Sequence, residues 1–264
     1  MTHGSDTDGI RGSFRLRDVG TALALLTRLP LPGTGGRDTS DRPMAAAAWA
    51  YPLVGLVVAV AGAMAGGVLS WFGAAPYGAA LFAVGVQIVL TGAMHEDGLA
   101  DCADGFWGGW EPARRLEIMK DSQIGTYGVL ALVGALVLRW MIVAQLIEGG
   151  VLLWGLAASG VASRAAMVWQ MHRLPHARAG GLSRMTGRPD RPAALAALAI
   201  GLGAVLMSPG PVLGVVALTA ATTLAWGLLA RRKVGGQTGD VLGATQQLAE
   251  LAVLLTLSLG LTTE

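Results

Sequence analysis

Apolar residues run along this chain in long stretches separated by short polar connections. About 20 mostly apolar residues are enough for a helix to cross the hydrocarbon core of a bilayer. Seven candidate spans follow, at roughly 45–69, 76–94, 127–147, 150–171, 193–207, 211–230 and 242–261. The fifth is short, and Ser208-Pro209-Gly210-Pro211 breaks it from the sixth. An earlier apolar patch, Val19 to Leu31, is too short to cross and contains Arg28; it reads as interfacial or re-entrant. The pattern therefore predicts an all-α, polytopic membrane bundle of about seven transmembrane helices. It forms one domain over residues 1–264, with 1–43 as a polar, interfacial N-terminal segment.

Charge supports this reading. Only 14% of the residues are charged, against about 25% in a typical soluble domain, and they cluster between the spans. Arg11, Arg15, Arg17, Arg28, Arg37 and Arg42 precede the first span. Arg114, Arg115 and Lys120 follow the second, Arg173 to Arg191 the fourth, and Arg231, Arg232 and Lys233 the sixth. The intervening connections carry no Lys or Arg. Basic loops favour the cytoplasmic side, so seven spans with a cytoplasmic N-terminus put every basic loop on one face. Arg139 and Arg164 fall inside spans, where an arginine faces the protein interior or a wet cavity. The abundance of glycine, 39 residues, fits helices that approach closely in lipid. No basic stripe interleaved with aromatics is present, which argues against nucleic acid as a partner. A single cysteine, Cys102, rules out an internal disulfide and reads as a packing residue.

The candidate chemistry begins after the second span, at His95-Glu96-Asp97-Gly98-Leu99-Ala100-Asp101-Cys102-Ala103-Asp104-Gly105. Asp97, Asp101 and Asp104 stand at i, i+4 and i+7, on one helical stripe. Three like charges so placed repel, and a divalent cation would remove that penalty. Oxygen-only ligands favour Mg²⁺, Mn²⁺ or Ca²⁺ over zinc. His95 lies off the stripe and is a candidate base. Further on, Arg114, Arg115 and Lys120 offer phosphate contacts beside Asp121, a second candidate base. Between the last two spans, Gly235-Gly236-Gln237-Thr238-Gly239-Asp240 is a glycine-rich turn on the same face, with Gly236 and Asp240 as candidate substrate contacts. His172 and His176 flank Pro175 and read as a plain loop. Acids for a metal and bases for phosphate on one surface suggest phosphoryl transfer.

These stretches resemble the adenosylcobinamide-GDP ribazoletransferase (cobalamin synthase) family. The matching residues are Leu26-Thr27-Arg28-Leu29-Pro30-Leu31-Pro32, Tyr51-Pro52-Leu53-Val54-Gly55, the His95 to Gly105 run, Met119-Lys120-Asp121-Ser122-Gln123-Ile124-Gly125-Thr126-Tyr127-Gly128 and the Gly235 to Gly243 stretch. They occur in the family's order along most of the chain. The resemblance implies transfer of α-ribazole, or its 5′-phosphate, onto adenosylcobinamide-GDP with release of GMP. It implies a Mg²⁺ requirement and a place in the bacterial inner membrane, and it makes the lipid bilayer and other cobamide-pathway enzymes expected partners. On this expectation Asp97, Asp101 and Asp104 bind the metal, and His95 or Asp121 takes the proton. Arg28, Arg114, Arg115, Lys120, Gly236 and Asp240 steady the substrate. Two rival classes are a CDP-alcohol phosphotransferase-like lipid synthase and a divalent-cation transporter. The acid spacing departs from the first, and the surface position of the acids from the second.

Overall fold

The computed structural model describes residues 14–30 and 43–261. Among the described residues the chain is built from helices. They are α1 (Leu16–Leu26), a 3₁₀ segment (Met44–Ala50) that runs into α2 (Tyr51–Trp71), α3 (Pro76–Thr91), α4 (Met94–Gly108) and α5 (Pro112–Ile118). There follow α6 (Thr126–Glu148), α7 (Leu152–Arg173), α8 (Leu182–Thr186), α9 (Arg191–Met207), α10 (Val212–Val234) and α11 (Gly239–Leu261).

Every expected span is a helix, but not every one is long enough to cross. Five stretches pass on length and apolarity: Met44–Trp71, α6, α7, α10 and α11. A sixth counts only if α3 and α4 are taken together, and these are bent by 86° at their junction. The expected count of seven is therefore not reached. At 1.5 Å per residue, α3 and α9 reach only roughly 24–26 Å, short of an apolar core of about 30 Å. The interfacial reading of the N-terminal patch corresponds to α1, which is tied to the 3₁₀ segment by the Trp49 indole donating to Asp18 (2.7 Å).

Helices α7 and α11 form the centre of the bundle, and α2, α9 and α4 pack around them. The α2–α7 crossing is closed by glycines: a Cβ at Gly55 would stand 2.1 Å from the Gly160 carbonyl oxygen. Large apolar side chains point outward from the peripheral helices, among them Leu81, Phe82, Leu130, Val133, Leu213 and Leu224. Such a surface suits lipid. This is the architecture of a multi-pass membrane protein.

The centre is not wholly apolar. Arg139 of α6 is 4% exposed. It donates to Glu96 of α4 (3.2 Å), to Glu250 of α11 (3.0 Å) and to the Gln87 side chain of α3 (2.9 Å). Gln247 also donates to Glu96 (3.1 Å), and Arg164 of α7 donates to the Gly160 carbonyl (3.1 Å). Both intramembrane arginines therefore face the interior. Removing one partner of a buried pair strands the other, typically at about 3–5 kcal/mol. Arg139→Leu leaves two carboxylates short of their cation, so it should destabilise the protein by about that amount. Unfolding midpoints in detergent measure this, and a change below about 1 kcal/mol would contradict the network's role.

Candidate active site

The site begins where α3 stops. Gly92 closes that helix in the left-handed region (φ 65°), and Ala93 follows at φ 57°. A left-handed alanine is strained by about 1–2 kcal/mol, so its neighbours must hold it. The Ala93 amide donates to Ile88, and the Ala93 carbonyl accepts from the Asp97 amide at 2.9 Å, starting α4. After this turn α4 no longer follows the span of α3. It carries His95, Glu96, Asp97, Asp101 and Asp104 at one end of the bundle.

The three aspartates do lie on one helix, but not round one point. Seven residues of helix separate Asp97 from Asp104, a rise of about 10 Å. Among the described residues no group of three His, Cys, Asp or Glu side chains is close enough to share one ion. Asp104 is occupied in another way: it accepts from the Gly125 amide (2.7 Å) and the Gly128 amide (2.9 Å) at the start of α6. A carboxylate on those free amides completes the helix end and meets its positive pole. Asp104, expected to share a metal with the other two, is thus engaged with α6, while Asp97 and Asp101 are not. The Gly125-Thr126-Tyr127-Gly128 motif acquires a reason, because a Cβ at either glycine would run into that carboxylate.

Asp97 faces solvent, and Asp101 is half-buried. Asp240, at the head of α11, joins them. The helices approach closely here because residue 98 is glycine; a Cβ there would stand 2.7 Å from the Asp240 carbonyl. Partial burial, and then the charges of Asp97, Asp240 and Asp104, push the Asp101 carboxyl up to about 7. Arg178 opposes that rise, and it holds Asp240 at 3.1 Å. Beside this cluster lies a cavity of about 150 Å³, lined by Asp97, Asp240, Arg178, His95, Tyr51 and Ser183 among others.

Arg178 comes from the segment between α7 and α9, which the sequence offered only as a basic loop. Gln237 holds that segment in place. Its backbone pairs with Pro175 and Ala177, its side-chain amide donates to the Met171 and Leu174 carbonyls, and its oxygen accepts from Ser183. His176 bonds Ser183 in turn (3.2 Å), and His172 contacts the Pro189 carbonyl. Gly236 is needed for contact with protein rather than with an anion, since a Cβ would lie 2.0 Å from the Pro175 carbonyl.

The remaining expected site residues are placed elsewhere. His95 is fully buried, in the wall between the cavity and the Arg139 network, and its Nε2 has no partner among the described residues. Asp121 is exposed and closes a local turn onto the Gln123 amide (3.1 Å). Arg114 makes an exposed pair with Glu117 (3.1 Å). Arg115 ties α5 down, donating to the carbonyls of Gly109 and Lys233 (both 2.9 Å). Lys120 is exposed. The Arg28 amide donates to the Leu90 carbonyl (2.7 Å), and its side chain lies over Gly92. None of Arg28, Arg114, Arg115, Lys120 and Asp121 lines the cavity. Cys102 is buried and free, as a packing residue.

Two substitutions separate structural from chemical carboxylates. Asp104→Ala strands two amides at the α6 start and should cost roughly 1–3 kcal/mol. Asp101→Asn removes a crowded charge and should leave metal-free stability equal or higher. Thermal unfolding in detergent with EDTA reads both, and equal losses for the two variants would overturn the distinction.

Comparison with known proteins identifies the family. A family model described as cobalamin-5-phosphate synthase matches residues 18–258. Adenosylcobinamide-GDP ribazoletransferase of Mesorhizobium japonicum is 40% identical over 247 residues, covering 93% of this chain and 94% of the relative. The proteins of the same name from Sinorhizobium medicae (92% of this chain, 97% of the relative) and Azorhizobium caulinodans (93% and 97%) are 42% and 43% identical. No solved structure matches the chain. With nearly its whole length matched, the chain belongs to the cobalamin-5-phosphate synthase family.

Proposed function

We propose that this chain joins adenosylcobinamide-GDP to α-ribazole, or to its 5′-phosphate, and releases GMP. The observation that carries the reading is one cavity at the head of α4 and α11 lined by Asp97, Asp240 and Arg178, with Asp101 one turn further along α4 and within reach of the charges of Asp97 and Asp240. In the reaction, a ribazole hydroxyl oxygen bonds to the phosphorus nearer the corrinoid, and the bond from that phosphorus to GMP breaks. The hydroxyl proton must leave. His95 is the basic side chain of the cavity wall with a nitrogen free to receive it. Asp121, exposed and away from the wall, is the weaker choice.

The donor set fits a hard divalent cation. Oxygen ligands favour Mg²⁺, and the Asp101 carboxyl is raised first by partial burial and then by the negative charges of Asp97, Asp240 and Asp104 gathered near it. Asp97 and Asp101 would hold the ion, while Asp240 stays with Arg178 and Asp104 with α6. When bound, Mg²⁺ neutralises charge on the diphosphate and on the departing GMP. The chain's own part is to fix Asp97 and Asp101 on α4 and Asp240 on α11, and to hold beside them the strap between α7 and α8 that bears Arg178.

Three basic connections meet near this cavity, with Arg115 on the Lys233 carbonyl, Lys233 on the Phe106 carbonyl and Arg178 on Asp240, which supports a bacterial inner-membrane setting with the site open to the cytoplasm. Substrates that carry nucleotide and phosphate suit that side.

Three measurements test the reading. Purified protein in nanodiscs should release GMP from adenosylcobinamide-GDP only when α-ribazole is added, and EDTA should abolish release; GMP formed without acceptor would sink the assignment. Asp101→Asn should reduce turnover by about 10²-fold or more at saturating Mg²⁺. Protons should also compete with the metal. The Asp101 carboxyl, raised to about 7, is protonated below that pH and ionised above it. The half-saturating Mg²⁺ concentration should therefore fall about tenfold from pH 6 to pH 8. A flat profile would exclude Asp101 from the metal site.

A further inference from the structure

Three buried polar groups around the cavity have no hydrogen-bond partner among the described residues: the Tyr51 hydroxyl, His95 Nε2 and Arg178 Nη1. Tyr51 and His95 are each 2% exposed. Buried polar atoms are rarely left unpaired, and such a group calls for an explanation. Three on one wall describe a site shaped for a polar ligand. Their chemistry indicates which kind. Arginine supplies donors only, and its planar fork matches phosphate oxygens with two nitrogens at once. Here Arg178 spends Nη2 on Asp240 and keeps Nη1 unused. The Tyr51 hydroxyl is a second donor.

We propose that Arg178 contacts the substrate, gripping the diphosphate of adenosylcobinamide-GDP through Nη1, and that the Tyr51 hydroxyl donates to the same group. This rests on the phosphoryl-transfer reading above. The cavity volume agrees. At about 150 Å³ it is smaller than the roughly 300–1,000 Å³ of a site for a drug-sized ligand. It takes a phosphate-sized portion, while the nucleotide and the corrinoid extend beyond it. The position also agrees: Asp240 aims the guanidinium while belonging to the carboxylate cluster, so anchor and metal-binding acids meet one phosphate chain. The Gln237 contacts explain how a residue on a connecting segment is held accurately. They fix Pro175 and Ala177 on either side of His176, immediately before Arg178.

The rival account is that Arg178 only neutralises and positions Asp240. Steady-state GMP release by Arg178→Gln, Arg178→Lys and Tyr51→Phe separates the two, with donor, α-ribazole and Mg²⁺ each varied in turn. Arg178→Gln should raise the KM for adenosylcobinamide-GDP at least tenfold. Its KM for α-ribazole and its half-saturating Mg²⁺ concentration should stay within twofold of wild type. Arg178→Lys should recover part of the loss, and Tyr51→Phe should raise the donor KM several-fold. If Arg178→Gln is not monodisperse in detergent, the lysine and Tyr51→Phe variants carry the same comparison. An unchanged donor KM, or an effect confined to the Mg²⁺ requirement, overturns the anchor role alone. Failure of the wild-type protein to release GMP overturns the phosphoryl-transfer reading and this inference with it.

Discussion

The buried network of Glu96, Arg139 and Glu250 fixes the elbow between α3 and α4, and the place of each acid in the candidate site follows from it. Lipid offers no water to solvate a charge, so an acid carried into the bundle must find a cation there. Glu96 does so one residue after His95 and one before Asp97. Its side chain points into the bundle, which turns the opposite side of the same helix, with Asp97 and Asp101, outward. Gly92 and the strained Ala93 make the turn possible, and the ion pair helps to hold it. Arg139 joins α4, α6 and α11, while Gln87 adds α3. One guanidinium thus ties together the four helices on which the site stands.

A second constraint is contact without side chains. Gly98 lets α4 reach the head of α11, and Gly236 lets the turn before α11 reach Pro175. In both places a methyl group would collide with a carbonyl. These contacts bring three distant stretches of sequence together: the acids of α4, Asp240, and the strap that bears Arg178. Gln237 joins the last two of these, with both ends of its side-chain amide bonded. A glycine-rich turn between two spans can be mistaken for an anion cradle. Here its amides and carbonyls serve the protein itself, and the acid after it serves the site.

Much of this was legible in the sequence. Long apolar runs gave the helices, and the alternation of basic loops gave their common face. The His95 to Gly105 run located the acidic helix, and the placing of Arg139 inside an apolar span pointed to an interior partner. What sequence could not supply was depth. A stripe at i, i+4 and i+7 says which residues share a helix face, not which of them meet a neighbouring helix end. Asp104 shares its stripe with Asp97 and Asp101, but only the fold shows that it meets the amides of Gly125 and Gly128. Arg115 reads from sequence as a phosphate contact, and only the fold shows that it also bonds the Gly109 and Lys233 carbonyls. Arg178 was one of several loop arginines, and only the pairing of Gln237 with the strap, more than 60 residues away in sequence, singles it out.

The distribution of counter-charge then selects the metal position. Glu96 is neutralised by Arg139, Glu250 by the same arginine, Asp104 by the amide pole of α6, and Asp240 by Arg178. Asp97 and Asp101 are one helical turn apart, with no ion pair to either among the described residues. They are where negative charge is left over, and that charge adds to burial in raising the Asp101 carboxyl. A cation seated there would do for them what an arginine or a helix end does for each of the others. The fold spends its fixed positive groups on the acids that hold the structure and leaves Asp97 and Asp101 uncompensated, and that asymmetry, rather than the count of aspartates, makes this end of α4 a site.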